Sequence, residues 1–140
     1  MLDFTDWAVI GYNDDTGIGN QLDAIKHDIG ISKHLVIPSA KLETKPLKNS
    51  DEILVDKNTS EADLENMLQG VHFLLFIEMY GWHRDIFTVT KKLKVKTICL
   101  VNWEWFNPDD PNWRKVDFLA AATHYTISFL KEHGVSNILY

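Results

Sequence analysis

Short apolar runs alternate with amphipathic stretches from one end of the chain to the other. Runs of about five residues without polar alternation are typical of strands buried on both faces of a parallel sheet. Between them, apolar residues recur at three- and four-residue spacing, which predicts helices. The predicted strands are Trp7–Tyr12, His34–Pro38, Glu52–Asp56, Phe73–Ile77, Thr97–Val101, Val116–Ala122 and Ser136–Tyr140.

The predicted helices lie between these strands. Ser60 with acidic residues after it predicts a capped helix start, and glycines such as Gly30 predict helix ends. The other predicted helices are Asn20–Ile29, Arg84–Leu93 and Thr126–His133. This alternation predicts an α/β, Rossmann-like three-layer sandwich, whose mainly parallel sheet has about six to seven strands. No linker divides the chain, so residues 1–140 are expected to form a single domain.

Composition excludes several classes of function. The formal net charge is -6 and the lysines are scattered, which argues against nucleic acid as a partner. The single cysteine, Cys99, falls inside a predicted strand, which indicates no disulfides and favours a cytoplasmic location. We see no signal peptide and no apolar stretch that could span a bilayer, while peripheral membrane contact stays open. The six histidines form no spaced ligand set, so no metal is expected.

Two strand ends carry most of the candidate chemistry. Glu78, Trp82 and His83 follow the fourth strand, whereas Trp103 and Glu104 follow the fifth. Ligands of open α/β sheets bind beyond the carboxyl ends of the strands, so both groups are expected to face one crevice. Indoles stack on sugar rings and carboxylates accept hydrogen bonds from hydroxyls, which together favour a saccharide.

Each of these residues also has a plainer interpretation. The two carboxylates could instead cap helices or pair with arginines, and His83 could be a solvated loop residue rather than one that contacts a hydroxyl or a phosphate. Of the two indoles beside Glu104, we expect one to anchor the loop in the core and the other, Trp103 or Trp105, to line the crevice.

A glycine-containing segment, TGIGNQ, follows the first strand. Backbone amides of Gly17 and Gly19 at a helix start could approach an anion, or the glycines could simply satisfy the turn. A dinucleotide fingerprint would need a third glycine where Leu22 stands, so a dehydrogenase is disfavoured.

Four segments together resemble a known family. They are WAVIGYNDDTGIGN, LLFIEMYGWHRDI, KVKTICLVNWEWF and VDFLAAATHYTISFLKEHGVSNILY. In order and spacing they resemble the N-terminal, acceptor-side Rossmann-like domain of a GT-B glycosyltransferase of the retaining family 4 (group 1) type. The resemblance implies a UDP- or GDP-linked nucleotide sugar as donor substrate, no further cofactor, a saccharide or glycosylated acceptor, and a missing C-terminal donor-binding domain without which the chain is inactive.

The resemblance also assigns roles to residues. It places Gly17, Gly19 and Asn20 near the donor phosphates, His83 as the catalytic residue near the transferred sugar, and Glu78, Trp82, Trp103 and Glu104 on the acceptor side. Two features depart from the family pattern: Asn20 and Gln21 stand where a basic residue is usual, and the family's pair of glutamates with seven residues between them is absent.

Other functions stay open on the sequence alone. A standalone, non-catalytic α/β module that binds a nucleotide or a carbohydrate is the main alternative, and a receiver-like interaction domain with Asp14, Asp15 and Asp56 fits less well. The donor sugar, the acceptor, the stereochemical outcome, the oligomeric state and whether the chain is a fragment are undetermined.

Overall fold

Seven parallel strands form one sheet in the computed structural model, which describes residues 3–12, 14, 17–38, 47 and 52–140. The strands are β1 Trp7–Tyr12, β2 Lys33–Ile37, β3 Glu52–Leu54, β4 Phe73–Glu78, β5 Lys96–Val101, β6 Phe118–Ala121 and β7 Ile138–Leu139. The helices are α1 Gly17–Ile29, α2 Glu61–Leu68, α3 Ile86–Leu93 and α4 His124–Glu132, with short 3₁₀ helices at Trp103–Trp105 and Pro111–Lys115. The predicted α/β, Rossmann-like class is confirmed.

The strand order is β3-β2-β1-β4-β5-β6-β7. The chain therefore adds strands outward on one side of β1, then returns and adds them outward on the other side. Connections leave β1 and β4 in opposite directions, which opens a crevice between them at the carboxyl ends, where open α/β sheets bind ligands.

Helices cover both faces of the sheet. On one face, Leu22 of α1 packs with Val9 and Ile77. On the other face, the larger core includes Leu64 and Leu68 of α2, Ile86 and Val89 of α3, and Leu130 of α4. The three layers predicted from the sequence are therefore present.

Local signals fix the start of α2 and the end of α1 where the sequence predicted them. The hydroxyl of Ser60 accepts a hydrogen bond from the Asp63 backbone N–H (3.1 Å), and the Asp63 carboxylate accepts one from the Ser60 N–H (3.0 Å). This reciprocal pair satisfies two helix donors that would otherwise lack partners. Gly30, after α1, has the positive φ of 74° that a helix stop requires.

Helix α1 begins earlier than predicted, at Gly17 rather than Asn20. The two glycines therefore belong to the first helical turn rather than to a loop. Gly19 is required there by space, because a Cβ atom would stand 2.0 Å from the backbone carbonyl oxygen of Asp14. Gly17 is exposed, and an added Cβ would meet nothing within 4 Å.

Cys99 lies in β5 with no exposed surface, as expected of a small apolar residue. Burial, and secondarily the Glu78 carboxylate, raise the pKa of its thiol, so the sulfur stays protonated. In the described part of the chain, no helix has the length and apolar character needed to cross a bilayer.

Candidate functional site

Glu78 closes β4 in a three-residue turn. The Met79 backbone N–H donates to the carbonyl oxygen of Ile77 (2.7 Å), and Glu78 between them has a φ of 60°. Such γ-turns with positive φ are rare and strained for a residue that carries a Cβ atom. Glu78 is also only 7 % exposed. Backbone strain of this kind costs about 1–3 kcal/mol and concentrates at functional sites.

The Glu78 carboxylate is fixed by a glutamine from α1. The side-chain amide of Gln21 donates to the carboxylate across the β1–β4 switch point, with Nε2 and Oε1 2.5 Å apart. Burying a carboxylate is costly unless it is hydrogen-bonded, and this bond meets part of that cost. The turn and the amide together fix the direction in which the carboxylate points.

A cavity of about 250 Å³, which we call the β4–β6 crevice, opens beside Glu78. Asn102 follows β5, while Thr123 and Thr126 stand at the start of α4. The Thr123 hydroxyl caps α4 by accepting from the Thr126 N–H (3.1 Å), and the two hydroxyls lie 3.0 Å apart. The lining residues are Gln21, Glu78, Val101, Asn102, Trp103, Ala122, Thr123 and Thr126.

The lining of the β4–β6 crevice is polar but nearly uncharged. Among the described lining residues, Glu78 is the only ionisable one, and amide, hydroxyl and indole groups provide the remaining polar atoms. None of the lysines and arginines that the structure describes lines it. The described lining can therefore offer hydrogen bonds to hydroxyl groups, and it provides no cation that would neutralise a phosphate.

Trp103 lines this crevice, as predicted for one of the two indoles. It is 39 % exposed and packs edge-to-face with Tyr125, with ring centroids 5.4 Å apart. The expectation that the other indole anchors the loop in the core is wrong, because Trp105 is 56 % exposed. The anchor is Phe106, which packs against the buried Trp113. A phenyl ring needs no hydrogen-bond partner when buried, whereas an indole N–H does.

Glu104 is exposed on the 3₁₀ helix Trp103–Trp105 and is not a lining residue of the β4–β6 crevice. The structure therefore brings Glu78 and Trp103 together in the crevice, but it leaves Glu104, the residue after Trp103, on the surface.

Trp82 and His83 lie elsewhere on the same edge of the sheet. Both line a second cavity of about 590 Å³, here called the β2–β3 cavity, beyond the carboxyl ends of β2 and β3. Trp82 packs edge-to-face with Tyr12 at the end of β1, with centroids 4.7 Å apart. Glu78, the last residue of β4, therefore lines one cavity, whereas Trp82 and His83, in the loop between β4 and α3, line the other.

The residues expected near donor phosphates occupy the first turn of α1. Gly17 and Asn20 are exposed, whereas Gly19 is buried against Asp14. Positions 13, 15 and 16, which precede the helix in sequence, lie outside the described residues, so the Asp15 considered for a receiver domain does too. Among the described residues, no three histidine, cysteine, aspartate or glutamate side chains come together as a metal-binding group.

Four polar lining residues were not predicted as site residues: Gln21, Asn102, Thr123 and Thr126. Asn102 and Thr123 come directly after β5 and close after β6, so the strand-end rule that identified Glu78 could have found them as well. Gln21 carried no comparable signal, because its partner Glu78 lies 57 residues further along the chain.

The sequence matches no protein-family model and no curated protein.

Proposed function

We propose that the chain binds a saccharide in the β4–β6 crevice and serves as the acceptor-side domain of a GT-B glycosyltransferase. The observation that carries the proposal is the conformation of Glu78. A buried carboxylate held in a strained turn at the switch point of a parallel sheet has a local cost to stability that a binding role would explain.

The lining of the crevice supports a neutral, hydroxyl-rich ligand. A carboxylate accepts hydrogen bonds from hydroxyls more strongly than a neutral acceptor does, and Asn102 and Thr123 add further polar partners. The partly exposed Trp103 offers an indole surface on which a sugar ring can stack.

The size of the crevice favours a single sugar ring over a whole nucleotide sugar. Its volume of about 250 Å³ is below the ~300–1,000 Å³ typical of sites for drug-sized ligands. In this proposal the donor nucleotide is held mainly by another domain, and the exposed first turn of α1, with Gly17 and Asn20, faces its phosphates. An approach of His83 to the transferred sugar stays a prediction.

Ligand-observed NMR with glucose, mannose, UDP, GDP and their hexose conjugates tests the proposal. We expect saccharide signals to show binding to the wild type and to weaken about 10- to 100-fold with Glu78→Gln, since hydrogen bonds to charged groups contribute about 1.5–3 kcal/mol. The matched control is Glu104→Gln, which changes an exposed carboxylate outside the crevice lining and should leave binding intact.

Two results would contradict the proposal. Saccharide binding that is equally strong in wild type and Glu78→Gln would show that the β4–β6 crevice is not the saccharide site. Tight binding of UDP or GDP by the chain alone, unaffected by Glu78→Gln, would instead favour a standalone nucleotide-binding module.

A further inference from the structure

The open side of the β4–β6 crevice is formed by a 3₁₀ helix and the start of α4. Of the described lining residues, Glu78 and Thr126 are buried. The exposed ones are Trp103, on the 3₁₀ helix, and Ala122 and Thr123, which directly precede α4. A ligand that reaches Glu78 therefore extends towards solvent past Trp103 and the first residues of α4.

Tyr125 stands beside this opening, in the first turn of α4. Its ring packs edge-to-face against Trp103, with ring centroids 5.4 Å apart and ring planes at 77°. Tyr125 is 61 % exposed, so much of its ring surface is open to solvent. Because Tyr125 contacts one lining residue, Trp103, and is followed in the chain by another, Thr126, its ring continues the wall of the crevice outwards.

Contacts with α4 hold Trp103 in place. Trp103 and Phe106 both pack against Phe129, each pair with ring centroids 6.2 Å apart, and Phe106 is buried. Trp105 differs, because no described aromatic ring packs against it and it does not line the crevice. Side chains that are already ordered lose little freedom when a ligand binds, so the Trp103–Tyr125 pair is a prepared surface and Trp105 is not.

The Trp103–Tyr125 pair has the chemistry of a surface for a second sugar ring. The crevice, at about 250 Å³, leaves room for one sugar ring, so any further ring of the same ligand lies outside it. Sugar rings carry C–H groups beside their hydroxyls, and packing these groups on an aromatic ring removes apolar surface from water. The tyrosine hydroxyl can in addition donate or accept a hydrogen bond.

We propose that the ligand of the β4–β6 crevice is an oligosaccharide of at least two sugar rings. The first ring occupies the crevice beside Glu78, and the second stacks on Tyr125 and the outer part of Trp103. This inference rests on the saccharide function proposed above and specifies its ligand as a glycan rather than a free monosaccharide.

Ligand-observed NMR titrations with sugars of increasing length test the inference. The probes are glucose, methyl glucoside, maltose and cellobiose, with mannose and mannobiose as the corresponding mannose series. Methyl glucoside is the matched control ligand, because it has the glycosidic bond of a disaccharide but no second ring. We expect the best disaccharide to bind about fivefold more tightly than its monosaccharide, with saturation transferred from the protein to protons of both rings.

Variants of Tyr125 locate the second ring. In Tyr125→Ala the affinity for the disaccharide should fall to that for the monosaccharide, while monosaccharide affinity stays unchanged. Tyr125→Phe keeps the ring and should retain most of the gain. Trp105→Ala is the matched control, since it removes an exposed indole from the 3₁₀ helix outside the crevice lining, and it should leave both affinities intact. Circular dichroism verifies the fold of each variant.

The inference is overturned if no disaccharide binds more tightly than its monosaccharide and methyl glycoside, or if Tyr125→Ala weakens both ligands equally. Self-association of the chain that Tyr125→Ala abolishes, measured by analytical ultracentrifugation, would also overturn it, because a second copy would then cover the ring pair. The two proposals fail in distinguishable ways. A monosaccharide that binds through Glu78 without any gain from a second ring leaves the saccharide function standing and removes only this inference.

Discussion

The two glycines of α1 allow a prediction from matched variants. Both residues lie in the first turn of the same helix, and both lack a positive φ, so alanine fits the backbone at either position. The two positions differ only in the space available for a Cβ atom. A Cβ atom at Gly17 meets nothing within 4 Å, whereas one at Gly19 would stand 2.0 Å from the Asp14 carbonyl oxygen and 2.9 Å from its carbonyl carbon.

The magnitude follows from this contrast. Gly→Ala in a helix gains up to ~1 kcal/mol in propensity, and Gly17→Ala should show part of that gain. Overpacking costs ~1–3 kcal/mol, and the upper end applies at Gly19 because the obstacle is backbone that must move by more than an ångström. Gly19→Ala should therefore lose about 2 kcal/mol net, leaving the two variants about 3 kcal/mol apart.

Urea unfolding followed by tryptophan fluorescence measures the difference. For a domain of this size, a gap of about 3 kcal/mol corresponds to roughly 10 °C in melting temperature, so a thermal melt provides an independent measurement. Equal stability of Gly17→Ala and Gly19→Ala would refute the reasoning, because it would mean that the close approach of Asp14 to the helix carries no cost.

Three further predictions concern other parts of the fold. Lys94 ends α3 with a φ of 60°, so Lys94→Gly should raise the free energy of unfolding by about 0.5–1 kcal/mol, while Lys91→Gly inside the helix should lower it by about 1 kcal/mol. Although burial raises the pKa of Asp117, hydrogen bonds from Thr97 and then Lys96 outweigh it and hold that pKa below the usual value. The stabilisation from this lowered pKa is present above the unfolded pKa of about 3.9 and is lost as pH falls through the lower folded value. Asp117→Asn should therefore flatten the dependence of unfolding free energy on pH below about pH 4. An unchanged slope would contradict this prediction. Cys99 should resist thiol reagents in the native protein and react fully in urea, and rapid native labelling would show that β5 is not buried.

The strands and their parallel arrangement were predictable because burial on both faces leaves long apolar runs in the sequence. The first and last residues of the helices were less predictable where tertiary contacts decide them. Gly17 looked like a loop residue because glycine is a poor helix former, but the first turn tolerates it, and the approach of Asp14 requires a glycine two residues later.

The candidate site was predictable only where a residue ends a strand. Glu78 and Trp103 were identified in this way, and both line the β4–β6 crevice. The pairing of Gln21 with Glu78 depends on how α1 crosses the sheet, which no local pattern encodes. The separation of His83 from Glu78 depends on the turn at Glu78, and a positive φ at a glutamate has no sequence signal.

That turn has a consequence for selection. Position 78 has a backbone conformation that glycine adopts without strain and asparagine adopts more readily than glutamate does. A library randomised at this position and selected for heat resistance alone should therefore drift towards those two residues, whereas selection for ligand capture should retain the carboxylate. Selection for stability and selection for function would then favour different residues at position 78. The difference in unfolding free energy between the variants enriched by the two selections would measure the cost of a glutamate there.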